Sequence, residues 1–344
     1  MEKYGYRFSF GPWNIHEGAD PFGPTVRPAR SFDDKLKVFG ELGFDAVQFH
    51  DDDAVPNLDD KSAAQIAQEA RAMKKKLDDH VLVADFVAPR LWESPMTVDG
   101  AFTSNDPKCR AYAIDRSKQA ADIGRELGCD LMVLWLAREG TYMREAKDAV
   151  RATHLLVEAV NAILEHDPNI RIAIEPKPNE PMDLAYIPTM GHGLALGMQS
   201  SDPARVGALM ETAHAILAGL DPADEIAFAL TFGKLWSVHL NDQNGLKYDQ
   251  DRSFGSIDLR RAFNQVRVLD DNQYYKSGMI GLDVKAIRTQ PAEIATKHLR
   301  NSLHTFLRLV EIVRSLDRKR MADLIAARDY EELDWLIVSH LMGK

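Results

Sequence analysis

Short apolar, β-branched runs alternate along this chain with longer stretches whose apolar residues recur at three- and four-residue steps. The runs are Arg7 to Phe10, Ala46 to Phe49, Val81 to Val87, Leu131 to Leu136, Ile170 to Ile174, Arg205 to Leu209, Leu235 to Leu240 and Met279 to Leu282. Too short for helices, they read as strands. Asp33 to Leu42, Ser62 to Leu77, Ala111 to Leu127, Ala146 to His166 and Pro222 to Thr231 read as amphipathic helices between them. This alternation is the pattern of parallel strands joined by crossover helices, and eight strand candidates suggest a closed barrel.

The polar residues sharpen that reading. In a barrel the reactive groups collect at the C-terminal ends of many different strands, whereas an open doubly wound sheet gathers them at one switch point. Here Trp13 follows the first run, His50 the second, Trp135 the fourth, Glu175 the fifth, Glu211 the sixth, His239 the seventh and Asp283 the eighth. One face gathers the chemistry. Beyond about Arg288 the chain turns helical and charged with no further strand signal, so the expected organisation is an α/β barrel over residues 1–290 and a helical extension over 291–344. Leu324, Leu333, Trp335, Leu336 and Leu341 in that extension need cover, from a neighbouring subunit or from the same chain.

Composition narrows the functional classes. The 52 acidic residues against 42 basic ones give a net charge of -10, spread along the chain, and no Lys/Arg block tracks a phosphate backbone, so nucleic acid is not an expected partner. No window approaches the roughly 20 apolar residues of a membrane span, and the opening MEKYGYRFSF lacks a basic region followed by an apolar run. A cytoplasmic protein with no membrane partner is expected. Cys109 and Cys129 have no ligands at zinc-finger spacing beside them and are expected as buried or idle thiols.

Four constellations carry candidate chemistry. In IEPKPNEP, prolines and an asparagine end the strand abruptly, so a stiff loop presents Glu175, Lys177 and Glu180, an acid and base combination suited to a cation and a polar substrate oxygen. In METAH, Glu211 and His214 stand one helical turn apart and can reach one divalent ion. His239, the loop carboxylates Asp249 and Asp251, and Asp283 extend the set beyond what one ion needs, which predicts a two-metal site. Trp13, Trp92 and Trp135 each follow a strand run and are expected to form a dry wall for the apolar face of a sugar, and His50 with Asp53 in FHDDD is expected as a histidine oriented by a carboxylate. Ordinary packing for each tryptophan, and a solvated loop for the aspartate run, are the plainer alternatives.

The phrases ADPFG, FHDDD, GAFTSND, REG, EPKPNEP, PTMGHGLA and KYDQD, in this order, resemble the xylose isomerase family, in particular its shorter class typified by actinobacterial glucose isomerases. The resemblance implies a (β/α)8 TIM barrel with a helical C-terminal arm, a homotetramer, and two divalent cations, Mg²⁺, Mn²⁺ or Co²⁺, that serve to convert an aldose into its ketose. It further implies that Glu175, Glu211 and Asp283 bind the first metal, and that Glu211, His214, Asp249 and Asp251 bind the second. Lys177 would hold the C1 oxygen. His50, steered by Asp53, would assist ring opening; Trp13 and Trp135 would form the wall, and Phe22 would reach in from a neighbouring subunit.

Three departures stand out. Where the family carries an aspartate as fourth ligand of the first metal, in a phrase ending DLN, this chain reads VHLN with His239, which either softens the site toward Mn²⁺ or Co²⁺, abolishes binding there, or acts as a donor behind the ligands. Trp92 stands where a phenylalanine is usual, which narrows the pocket or changes which sugar fits. The C-terminal arm is shorter, which makes a homodimer an alternative to the tetramer. The resulting expectation is conversion of D-xylose to D-xylulose, with D-glucose to D-fructose as a related activity. The alternatives are an epimerase or isomerase of another or modified sugar, a non-catalytic sugar-binding relative, and, without the basic surface it needs, a barrel phosphodiesterase.

Overall fold

A computed structural model describes residues 3–20, 23–246 and 248–344. Eight parallel strands close a barrel in the order β1 (Phe8–Phe10), β2 (Ala46–His50), β3 (Val83–Ala88), β4 (Leu131–Trp135), β6 (Arg171–Glu175), β8 (Val206–Glu211), β9 (Leu235–Leu240) and β10 (Ile280–Leu282), with β10 hydrogen-bonded back to β1. A two-residue antiparallel pair, β5 (Gly140–Thr141) and β7 (Leu184–Ala185), ties together two loops at the mouth. The expected fold is therefore the observed one, a (β/α)8 barrel.

The strands begin within two residues of their expected starts, and the differences have local causes. Val81 is excluded from β3 because it follows a helix end with a left-handed φ of 57°, its N–H bonded to the Asp78 carbonyl. The helix expected from Ala146 starts at Ala149, where the Asp148 carboxylate caps the amides of Val150 and Arg151, and residues 144–146 form a separate turn. The helix expected from Ala111 starts at Pro107, capped by Asp106, with proline in the first turn where its missing N–H costs nothing.

Side chains alternate along each strand. Phe86, Leu131, Val133, Ala173 and Leu209 form the small cluster inside the barrel, while Val87, Met132, Leu134, Ile172 and Met210 join the larger core between strands and helices. Both cysteines are buried and unbridged, and burial pushes the Cys129 thiol up to about 12, which keeps it inert.

The segment beyond residue 290 forms three helices, Lys297–Ser315, Arg318–Ala327 and Tyr330–Leu341. The first packs as a wall of the barrel: Phe306 meets Tyr6 and Phe8 edge-on at 4.9 and 5.6 Å between ring centroids. In the last two, Met321 and Ile337 are buried, and Leu324, Leu333, Leu336 and Leu341 are half-buried. Leu333, Leu336 and Leu341 pack against the chain's own core, while Trp335 remains 55% exposed. No helix among the described residues is long and apolar enough to cross a membrane.

Candidate active site

The barrel mouth is built by strand ends. His50, Glu175 and Glu211 are the last residues of β2, β6 and β8, and His239 lies one residue before the end of β9. Asp283 follows β10 directly, and Trp13 sits in a turn just after β1. The β8 strand passes straight into the helix Thr212–Leu217, whose first turn swings His214 back over Glu211: Nε2 stands 3.2 Å from a Glu211 oxygen. Asp249 and Asp251 arrive from the long loop after β9. These groups line one cavity of about 310 Å³ together with Lys177, Lys285 and the aromatic residues.

The residues expected as metal ligands come together. Ligand atoms of Glu175, Glu211 and His214 lie within 4.8 Å of one another, as do those of Glu211, His239 and Asp283, and of Glu211, Asp249 and Asp251. Glu211 is common to all three groups. His239 Nδ1 faces Glu211 at 3.4 Å and Glu175 at 3.8 Å, and His214 Nε2 faces Asp249 at 3.1 Å. The buried Asn241 amide donates to both Glu211 and Asp251, at 3.0 and 3.1 Å, holding the two carboxylates in register.

The electrostatics of this cluster are divided. Burial pushes the carboxyls of Glu211 and Asp251 well above the usual range, and the charges of Asp249 and Asp283 push the same way. Burial acts on Glu175 and Asp249 too, but is outweighed: His239 and His214 hold Glu175 at about 2, and Lys177 and His214 hold Asp249 well below its ordinary value. Both imidazoles rise despite burial, His214 through Glu211 and Asp249, His239 through Glu175 and Glu211. Protons and imidazolium charge therefore balance crowded carboxylates that a divalent cation would balance better. Asp249 Oδ1 and His214 Nδ1 are buried with no hydrogen-bond partner among the described residues, as ligand atoms awaiting a cation would be. The donor set fits one or two divalent cations.

Lys177 is 6% exposed; its ammonium sits 2.9 Å from Asp249, 3.4 Å from Glu180 and 5.0 Å from the centre of the Trp135 ring. Those carboxylates outweigh the burial that would discharge it and keep it cationic. The three tryptophans and His50 form one continuous wall. Trp13 packs on His50 at 4.1 Å, His50 meets Trp92 edge-on at 5.0 Å, and Trp92 meets Trp135 edge-on at 4.5 Å. Trp13 also donates its indole N–H to Asp283 at 2.9 Å, joining the wall to the carboxylates. Asp53 Oδ2 lies 3.2 Å from His50 Nδ1 and accepts from the His50 backbone amide at 3.0 Å. Phe22 lies outside the described residues.

Several contributors were missed by sequence reasoning. Lys285 pairs with Asp251 and lines the cavity, a cation two residues after Asp283. Arg90 reaches from the mouth to Asp52, Asp53 and Glu93. Glu139 of the REG phrase accepts the amides of Ala101, Phe102 and Thr103 at 2.9 to 3.2 Å, so REG anchors GAFTSND; Arg138 holds the Trp92 carbonyl at 3.2 Å. Those phrases were visible, but nothing in their composition says that they bind each other.

Fold and site together define a barrel enzyme scaffold with a carboxylate and imidazole cluster, a buried ammonium and an aromatic wall at its C-terminal mouth. Residues 36–320 match the family model described as the xylose isomerase-like TIM barrel, and this chain belongs to that family. It is 36% identical to the xylose isomerase of Thermus thermophilus over 314 residues, 90% of this chain and 80% of the relative, and 35% identical to that of Thermus caldophilus over 338 residues, 96% and 86%. Among solved structures, a D-psicose 3-epimerase crystallised with D-fructose superposes with a TM-score of 0.64 at 14% identity, covering 88% of this chain and 99% of that one. A 3-keto-D-glucoside 4-epimerase from E. coli gives 0.63 at 13% identity with the same coverage. At such identities these two define the fold alone. The chain is thus an enzyme of the xylose isomerase-like superfamily.

Proposed function

We propose that this protein is a divalent-cation-dependent aldose–ketose isomerase, interconverting D-xylose and D-xylulose, with D-glucose and D-fructose as a related pair. The observation that carries the reading is the buried Lys177 ammonium, set between the carboxylate cluster and the tryptophan wall. Binding a sugar does not require an ammonium to be taken out of water beside this cluster; stabilising charge that develops on a carbonyl oxygen does.

When bound, two divalent cations supply positive charge at the two adjacent substrate oxygens between whose carbons a hydride moves. Glu175, Glu211, His239 and Asp283 would hold the first, and Glu211, His214, Asp249 and Asp251 the second. Lys177 donates to the C1 oxygen. His50, oriented by Asp53, moves a proton at the ring oxygen and opens the cyclic sugar. Trp13, Trp92 and Trp135 exclude water from the reacting carbons, which disfavours exchange with solvent protons.

A second reading, isomerisation or epimerisation of another or modified sugar, is favoured by Trp92, whose indole fills the space between His50 and Trp135. An aldose screen with added Mn²⁺, Co²⁺ or Mg²⁺ separates the two. Xylulose from xylose supports the first reading, and turnover confined to another sugar supports the second. Assembly as a homotetramer or homodimer, completion of the pocket by a neighbour's Phe22, and a cytoplasmic location belong to the same proposal. Sedimentation of the native chain tests the first of these.

A further inference from the structure

The barrel mouth has two unlike halves. The neighbouring strands β6, β8, β9 and β10 carry Glu175, Glu211, His239 and Asp283 at their C-terminal ends, whereas β3 and β4, which face β9 and β10 across the closed barrel, turn Phe86, Ala88, Val133 and Trp135 inward. The Phe86 ring stands 5.7 Å from the His239 ring, centre to centre, so the halves meet across the cavity. None of the four inward side chains of β3 and β4 offers the cavity a hydrogen bond: the Trp135 indole nitrogen is fully buried, away from the open space. Arg90, just beyond β3, spends its guanidinium on Asp52, Glu93 and Asp53 at 2.7, 3.2 and 3.5 Å.

Strand order decides which part of a sugar meets the dry half. Lys177 follows β6 and His50 ends β2, and β4 and β3 lie between those two strands. The aromatic wall runs the same way, from Lys177 to Trp135 at 5.0 Å, on to Trp92 at 4.5 Å and to His50 at 5.0 Å. A sugar with its C1 oxygen at Lys177 and its ring oxygen at His50 therefore lies along this wall. In a pyranose the ring oxygen is borne by C5; a pentose ends there, and a hexose carries one more carbon, C6, a single bond away. On the next strand the residue in register with His50 is Ala88, whose side chain has no polar atom.

We propose that the site takes C6 as a methyl group and not as a hydroxymethyl group, so that 6-deoxyhexoses join D-xylose as substrates ahead of D-glucose. This placement rests on the aldose–ketose reading above, which fixes the two ends of the sugar. A C6 hydroxyl entering between Ala88, Trp92 and Val133 loses its water and finds no side-chain partner among the described residues, while a methyl group there gains from burial. A dry pocket rejects a substrate that only adds a hydroxyl by about 10²-fold.

The test compares D-glucose with 6-deoxy-D-glucose, which differ only in the C6 hydroxyl, on the purified full chain with Mn²⁺. The ratio of kcat/KM values is expected to favour 6-deoxy-D-glucose by about tenfold or more; a ratio near one, or one in favour of D-glucose, overturns the proposal. Ala88→Ser, which places a hydroxyl beside C6, is expected to shrink that ratio by about threefold or more through better use of D-glucose. Should Ala88→Ser not fold, Val133→Thr, equal in shape, carries the same expectation, and an unchanged ratio overturns the placement of C6. Dissociation constants of both sugars, read from the tryptophan fluorescence of the Mn²⁺-loaded chain, separate this from the isomerase reading. Tighter binding of 6-deoxy-D-glucose by about tenfold with no ketose formed overturns the isomerase reading and upholds the methyl preference. Ketose formed equally well from both sugars does the reverse, and binding of neither sugar overturns the methyl preference.

Discussion

Glu211 is the carboxylate on which the whole cluster converges, and replacing it by glutamine isolates the role of cations. Its ligand atom lies within 4.8 Å of those in all three groups, where two unit charges at an effective dielectric constant near 20 repel by about 3 kcal/mol. Glu211→Gln removes that charge at nearly constant shape, and the new amide oxygen can still accept from Asn241. Metal-free stability is therefore expected to stay within about 1 kcal/mol of wild type. The response to metal is expected to change sharply. A cation at a hundred times its dissociation constant stabilises the native state by about 2.7 kcal/mol per site. With 344 residues at about 2.1 cal/mol/K each, the unfolding entropy is about 0.7 kcal/mol/K, so each site raises the melting temperature by about 4 °C. Thermal melts with and without excess Mn²⁺ should show that rise, up to about 8 °C for two sites, in wild type and almost none in Glu211→Gln. A variant that keeps the full wild-type shift would refute the convergence of the cluster on Glu211.

Other perturbations probe separate parts. Lys177→Gln, which removes the ammonium and keeps an amide donor, should lower kcat by about 10² to 10³ with little effect on the melting temperature in metal; an unchanged kcat rejects its role at the carbonyl oxygen. Arg116 forks both oxygens of the fully buried Asp51 at 2.8 and 3.0 Å, so Arg116→Met should cost about 3–5 kcal/mol in urea unfolding, and a loss below about 1 kcal/mol contradicts it. Burial holds the His298 imidazole down at about 4, against 6.5 in the unfolded chain. The unfolded state therefore binds the extra proton between those values, and this contribution of about 3 kcal/mol is present above pH 6.5 and lost as pH falls toward 4. His298→Gln should flatten the fall of melting temperature across that window by about one proton's worth; an identical slope rules the assignment out.

Much of this architecture is legible in the sequence because barrel strands are short apolar runs that end on their functional residue. Glu175 closing RIAIE and His50 closing AVQFH are both explicit in the chain. The helix Leu259–Asp271 escaped because its apolar face, Phe263, Val266 and Leu269, is diluted by arginines and aspartates that meet solvent and neighbouring helices. Which cation neutralises Asp251, or which amide bridges Glu211 to it, is decided by tertiary proximity, and no local pattern marks Lys285 or Asn241 for those tasks. The interior hydrogen bonds are hidden for the same reason: Gln48 sits in a run that reads as an ordinary strand, and its amide meets the Ser9 hydroxyl only because β1 and β2 lie side by side in the barrel.

The central claim is most directly tested by incubating the purified chain with D-xylose and Mn²⁺, Co²⁺ or Mg²⁺ in D₂O and analysing the product by NMR. The account predicts D-xylulose without solvent deuterium at C1, because the hydrogen moves between carbons behind the tryptophan wall. Absence of ketose with every cation, or ketose carrying solvent deuterium at C1, would contradict it.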